Sequence, residues 1–96
     1  MFNITIKYDF SSFLNLIFVT SFNNHIIMLF LEIGNILKTR RKELRITQPD
    51  LAEMAGISVN TLYKIERGQA NPTLKVLTKL LDILGMVINL EVKKPL

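Results

Sequence analysis

The sequence predicts a mainly α domain of four to five helices that ends in one β-strand. Three observations predict it. Residues 47–68 hold two short helical segments with cap signals on either side of a glycine. Leucines recur at helical spacing between 74 and 84, and Met86, Ile88, Leu90 and Val92 alternate with Val87, Asn89 and Glu91. At 96 residues the chain holds one small domain, with a core of the marginal size that dimerisation often supports.

The central stretch reads TQPDLAEMAGISVNTLYKIERG. Thr47 is a good N-cap, and Asp50 three positions later stands at capping-box spacing. Pro49 falls in the first turn, where a missing N–H is harmless. A helix is therefore expected over 48–55, with Leu51, Met54 and Ala55 facing inward. Gly56 ends it by taking a left-handed C-cap conformation. Ile57 plugs the core, and Ser58 caps a second helix through to about residue 67. That helix sets Leu62, Ile65 and Glu66 on one side and Val59, Asn60, Tyr63, Lys64 and Arg67 on another. Two short helices joined by a tight glycine-containing turn form a helix-turn-helix.

Upstream, 33–44 reads as an amphipathic helix with Ile33, Ile36, Leu37 and Leu44 on its buried stripe. Lys38, Arg40 and Lys42 lie on or near the other face, and Arg41 falls nearer the buried one. Downstream, 69–72 is a polar turn, and the residue before Pro72 avoids helical angles, so no helix begins earlier. Thr73 is the expected cap of a helix in which Leu74, Leu77, Leu80, Leu81 and Leu84 close the core, and Gly85 ends it. The strand that follows leaves unpaired backbone groups and wants a partner. The same strand from a two-fold mate is the simplest one. The competitor is the N-terminal FNITIKY, whose alternating Phe2, Ile4, Ile6 and Tyr8 also predict a strand.

Charge divides the chain. From residue 33 onward eleven lysines and arginines face six acids, a local net of +5 against +4 for the whole sequence. This suits an anionic partner. Residues 1–31 are apolar instead and contain all six phenylalanines. Three readings of that segment stand: an extension packed on the domain or its mate, a membrane-associating stretch, or sequence upstream of a natural start at Met28. No apolar run reaches the ~18–20 residues of a membrane span, and no signal-peptide pattern is present. The divisions expected are 1–31, an apolar extension; 32–85, the helix-turn-helix domain; and 86–96, the terminal strand and tail.

Enzymatic chemistry finds little footing. There is no cysteine, no glycine-rich phosphate loop, and one histidine, His25, which reads as structural. No metal or cofactor is implied. Asp50 and Glu53 are explained by capping and solvation.

These residues resemble the phage-repressor (Cro/repressor, XRE-type) helix-turn-helix family through the pattern TQ…LA…AGIS…T…IE.G. From IGNILKTRRKELRITQPDLAEMAGISVNTLYKIERG through LLDILGMVINLEV, about 33–94, the chain is most similar to the HipB-type antitoxin and transcriptional repressor. The resemblance implies double-stranded DNA as partner, at a palindromic operator, and places Val59, Asn60 and Lys64 against base edges. Chemistry agrees: Asn pairs bidentately with adenine, Lys donates to guanine O6/N7, and Val touches a thymine methyl. Gln48 matches a residue that clamps a phosphate. Ser58, Thr61, Tyr63, Arg67, Lys38, Arg40 and Arg41 are further phosphate candidates. Arg41 also matches an arginine that pairs with an acid on the recognition helix, here Glu66. The resemblance further implies a homodimer joined through the strand carrying Met86, Ile88, Leu90 and Val92, a HipA-type serine/threonine kinase toxin as partner, and a cytoplasmic, nucleoid-associated protein. Two alternatives remain open: a stand-alone phage or mobile-element regulator, and a membrane or protein-interaction module using residues 1–31.

Overall fold

A computed structural model describes residues 2–9 and 22–93. The expectations placed on 10–21, on the tail 94–96 and on the His25 side chain lie outside the described residues. The elements run β1 (Phe2–Asp9), α1 (Phe22–Glu43), α2 (Gln48–Ala55), α3 (Val59–Glu66), α4 (Leu74–Leu84) and β2 (Met86–Lys93). Four helices and a C-terminal strand thus appear as expected. No described helix is long and apolar enough to cross a membrane.

The cap signals act where the sequence places them. Thr47, Ser58 and Thr73 each take extended backbone angles and accept an N–H from the third residue onward, that of Asp50, Thr61 and Val76. Each bond satisfies one amide that a helix start otherwise leaves unpaired. Gly56 closes α2 at φ 68°, and its N–H returns to the carbonyls of Ala52 and Glu53. An L-residue there would press its Cβ toward the following carbonyl oxygen.

The core lies between the helices. Leu37 of α1, Leu51 of α2, Leu62 of α3 and Leu80, Leu81 and Leu84 of α4 are fully buried, with Ile33, Ala52, Ala55, Ile65 and Leu77 around them. Ile36 and Ile57 are half-buried against this cluster. The helix α1 approaches the C-terminal end of α3 so closely that only a glycine fits. A Cβ on Gly34 would lie 2.5 Å from the Ile65 carbonyl oxygen and 2.7 Å from that of Glu66.

Several expectations are corrected. Met54 is exposed and Ala52 takes the buried place on α2, because Leu51, Ala55 and Ala52 share one arc of the helix and Met54 falls outside it, on the far side of Leu51. Leu74 is 70% exposed: as the first residue of α4 it precedes the stripe set by Leu77, Leu80, Leu81 and Leu84. Leu44 is exposed because α1 has ended at Glu43 and the chain is already turning. At its other end α1 begins at Phe22, well before residue 33, so the helix runs across the division expected between 31 and 32.

The terminal strand pairs within the chain. β1 and β2 form a two-stranded parallel sheet in continuous register from Phe2↔Met86 to Asp9↔Lys93. The competitor, FNITIKY, therefore takes one edge of β2 in place of a two-fold mate. Parallel strands need a crossover longer than a hairpin, and here the helices supply it. Ile4 and Met86 are buried against the domain and Ile88 is half-buried, whereas Leu90 and Val92 are 77% and 80% exposed. β2 thus runs past the helices that cover its first half.

Candidate nucleic-acid interface

The site is organised by α3, whose two faces differ in kind. Inward, Leu62, Ile65 and Glu66 are buried; outward, Val59, Asn60, Thr61, Tyr63, Lys64 and Arg67 are exposed. The sequence separates these two sets correctly, because the 3.6-residue period groups them.

Glu66 is an acid with almost no exposure, and two side chains converge on it with three hydrogen bonds. Arg41 donates from Nε to Oε2 at 2.7 Å and from Nη2 to Oε1 at 3.0 Å, the bidentate geometry that a guanidinium fork favours. The expected pair between α1 and α3 is present. Arg41 Nη1 also donates to the Ile46 carbonyl at 2.9 Å, which fastens the turn leading into α2. Gln48 Nε2 donates to the same Glu66 Oε1 at 3.0 Å. The sequence reading did not anticipate this bond, and the spacing of 18 residues across two elements carries no local signal for it. One buried carboxylate thus locks α1, the start of α2 and α3 into one body. No buried polar side-chain atom among the described residues lacks a hydrogen-bond partner.

This node and the contacts of Arg40 change the setting of three phosphate candidates. Gln48 has spent one amide hydrogen on Glu66 and retains a second, since its NH₂ carries two. Arg41 is buried and donates from all three nitrogens inside the protein. Arg40 is committed to the far end of the domain: its Nε donates to the Leu84 carbonyl at 3.0 Å and its Nη1 meets Glu43 at 3.4 Å. A cation there also suits the negative end of the α4 dipole. Lys38 is exposed on α1.

At the start of α3, Ser58 Oγ accepts the Thr61 N–H at 3.0 Å and lies 2.8 Å from Thr61 Oγ1. Whichever hydroxyl donates in that pair, the other keeps a hydrogen for an outside acceptor. Near the end of α3, the Arg67 guanidinium sits over the Tyr63 ring, 5.2 Å from its centre. Spacing of four along a helix is the sequence signal that could have found this contact. Val59 and Asn60 stand in the first turn of α3 and Lys64 in its last.

A face with short polar and basic side chains on an exposed second helix, braced from behind by the first, has the architecture by which proteins enter a DNA major groove. The comparisons agree on the class. The helix-turn-helix family (HTH_3) matches residues 37–87, more than half of the chain, and the chain belongs to that family. An uncharacterized HTH-type transcriptional regulator of Haemophilus influenzae is 39% identical over 54 residues, which are 56% of this chain and 55% of that protein. A Methanococcus maripaludis protein, provisionally named an HTH-type transcriptional regulatory protein, is 37% identical over 53 residues, 55% of this chain and 16% of its own length. The chain therefore spans a sixth to about half of these relatives. Among solved structures, the clp gene regulator ClgR of Corynebacterium glutamicum superposes with a TM-score of 0.60 at 27% identity, covering 62% of this chain and 63% of that one. The restriction-modification controller protein C.AhdI of Aeromonas hydrophila gives 0.57 at 28% identity, covering 59% and 86%.

Proposed function

We propose that this protein is a sequence-specific DNA-binding transcriptional repressor that acts as a homodimer on a palindromic operator. The observation that carries the reading is the outward face of α3, where exposed Val59, Asn60 and Lys64 are held in place by the buried Arg41–Glu66–Gln48 node. In this reading those three side chains contact base edges. The remaining Gln48 amide hydrogen, the Ser58 and Thr61 hydroxyls, Arg67 on its Tyr63 platform and Lys38 contact phosphates and set register. The guanidinium of Arg41 acts chiefly as a brace and Arg40 as a clamp on α4. Support for a dimer comes from β2: its edge opposite β1 carries no strand among the described residues, and Leu90 and Val92 leave an apolar surface for a second copy. The reading is not that of an enzyme, and the relatives named above are regulators.

The finer assignment is an autoregulating antitoxin whose partner is a HipA-type kinase. It rests on the resemblance of residues 33–94 alone. The alternative, a stand-alone controller of a mobile element, draws support from the similarity to a restriction-modification controller protein. A kinase gene beside this one, and co-purification of its product, would select the first; a solitary gene would select the second.

Footprinting on the DNA upstream of the gene, across a range of salt, tests the main reading. The expected result is two protected half-sites about one helical turn apart, with affinity falling steeply as salt rises. No protection even at low salt would overturn it. Lys64→Ala is expected to weaken operator binding more than binding to random DNA; equal loss on both would assign Lys64 to phosphate instead of base readout.

A further inference from the structure

Four described residues have a left-handed backbone, and three are glycines: Gly56 at φ 68°, Gly68 at 70° and Gly85 at 71°. The fourth is Arg45, at φ 55°. It sits in the turn between α1 and α2. That turn is tightly determined: the Arg45 N–H donates to the Lys42 carbonyl at 3.0 Å, the Ile46 N–H to the Arg41 carbonyl at 3.1 Å, and Arg41 Nη1 returns to the Ile46 carbonyl at 2.9 Å. The left-handed conformation is thus imposed by the node that also holds Glu66 and Gln48. An arginine in it brings its Cβ against the following carbonyl oxygen, a strain that glycine avoids.

Among the described residues no contact of the Arg45 side chain offsets that strain. Arg45 is exposed, and its side chain makes no hydrogen bond or ion pair among the described residues. Its position is informative. Three residues on stands Gln48, at most about 11 Å away along the chain, with one amide hydrogen unspent. A guanidinium is a planar, permanently charged fork suited to phosphate. We infer that Arg45 is a phosphate-binding residue of the DNA interface, kept at a position where glycine would fold better because its guanidinium grips the backbone beside Gln48. The inference rests on the DNA-binding reading above.

The test pairs stability with affinity in the full chain. Arg45→Gly is expected to raise Tm by roughly 2–5 °C, from relief of backbone strain. The same substitution is expected to weaken binding on the order of tenfold at low salt, equally on the upstream duplex and on an unrelated one. The slope of log affinity against log salt should fall by about one. Arg45→Lys, which keeps the charge, is expected to keep the slope. A rise in Tm with affinity and slope unchanged would overturn the inference and leave the DNA-binding reading standing. A fall in Tm would overturn it as well, by showing that the arginine serves the fold. Failure of the unaltered chain to bind either duplex would instead remove the reading on which the inference depends.

Discussion

The α2–α3 motif and the β1–β2 sheet are both pairs of eight-residue elements, yet they are held together in opposite ways. In the motif three of the four helix ends are closed locally, by Thr47, Gly56 and Ser58, and both helices bury one face completely. In the sheet the strands come from the two ends of the chain, and along β2 Met86 and Ile88 rest on the domain whereas Leu90 and Val92 do not. Local closure makes a rigid frame that can present a face outward. A strand covered over half its length, as β2 is, presents an edge and an apolar surface to whatever comes next.

If that contrast is right, substitutions should have graded effects. The largest is expected at the buried node. Glu66→Ala leaves the Arg41 guanidinium without its counter-charge and should lower the free energy of unfolding by about 3–5 kcal/mol, read as a reduced urea midpoint. A loss below about 1 kcal/mol would mean that water reaches the pair and that the node is not what fixes α3. Next comes Gly34→Ala, which forces a methyl group against the Ile65 and Glu66 carbonyls and should cost about 1–3 kcal/mol of overpacking. Because it pushes on the recognition helix, it should also broaden the amide resonances of α3. Ile4→Ala, at the covered half of the sheet, is expected to cost about 2 kcal/mol; no change would mean that β1 adds nothing to the domain. Ser58→Ala removes a single cap and should cost about 1 kcal/mol. The smallest effect is expected at the uncovered half. Leu90→Ser should move monomer stability by less than about 0.5 kcal/mol, while shifting sedimentation toward the monomer if the proposed dimer forms there.

The same contrast decides what could be read in advance. Every boundary of α2 and α3 was legible, because a cap, a left-handed glycine and a 3.6-residue stripe all act within a few residues of one another. The two faces of α3 followed for the same reason. Met54 and Leu74 were misplaced where a single apolar residue near a helix end fits the stripe only loosely. The pairing of Arg41 with Glu66 came through resemblance, and no pattern in the chain pointed to Gln48 as its third member. Arg45 was visible only as one charge among eleven, since nothing in its neighbours announces a positive φ.

By itself, then, the sequence determined the four helices, their caps, the alternation of the terminal strands and the outward side chains of α3, because these follow from short-range hydrogen bonding and periodicity. The tertiary structure alone decided which strand β2 pairs with, how far back α1 extends, and which side chains meet at Glu66. Those outcomes depend on contacts between residues far apart in the chain, where alternation and charge state a need for a partner without naming it.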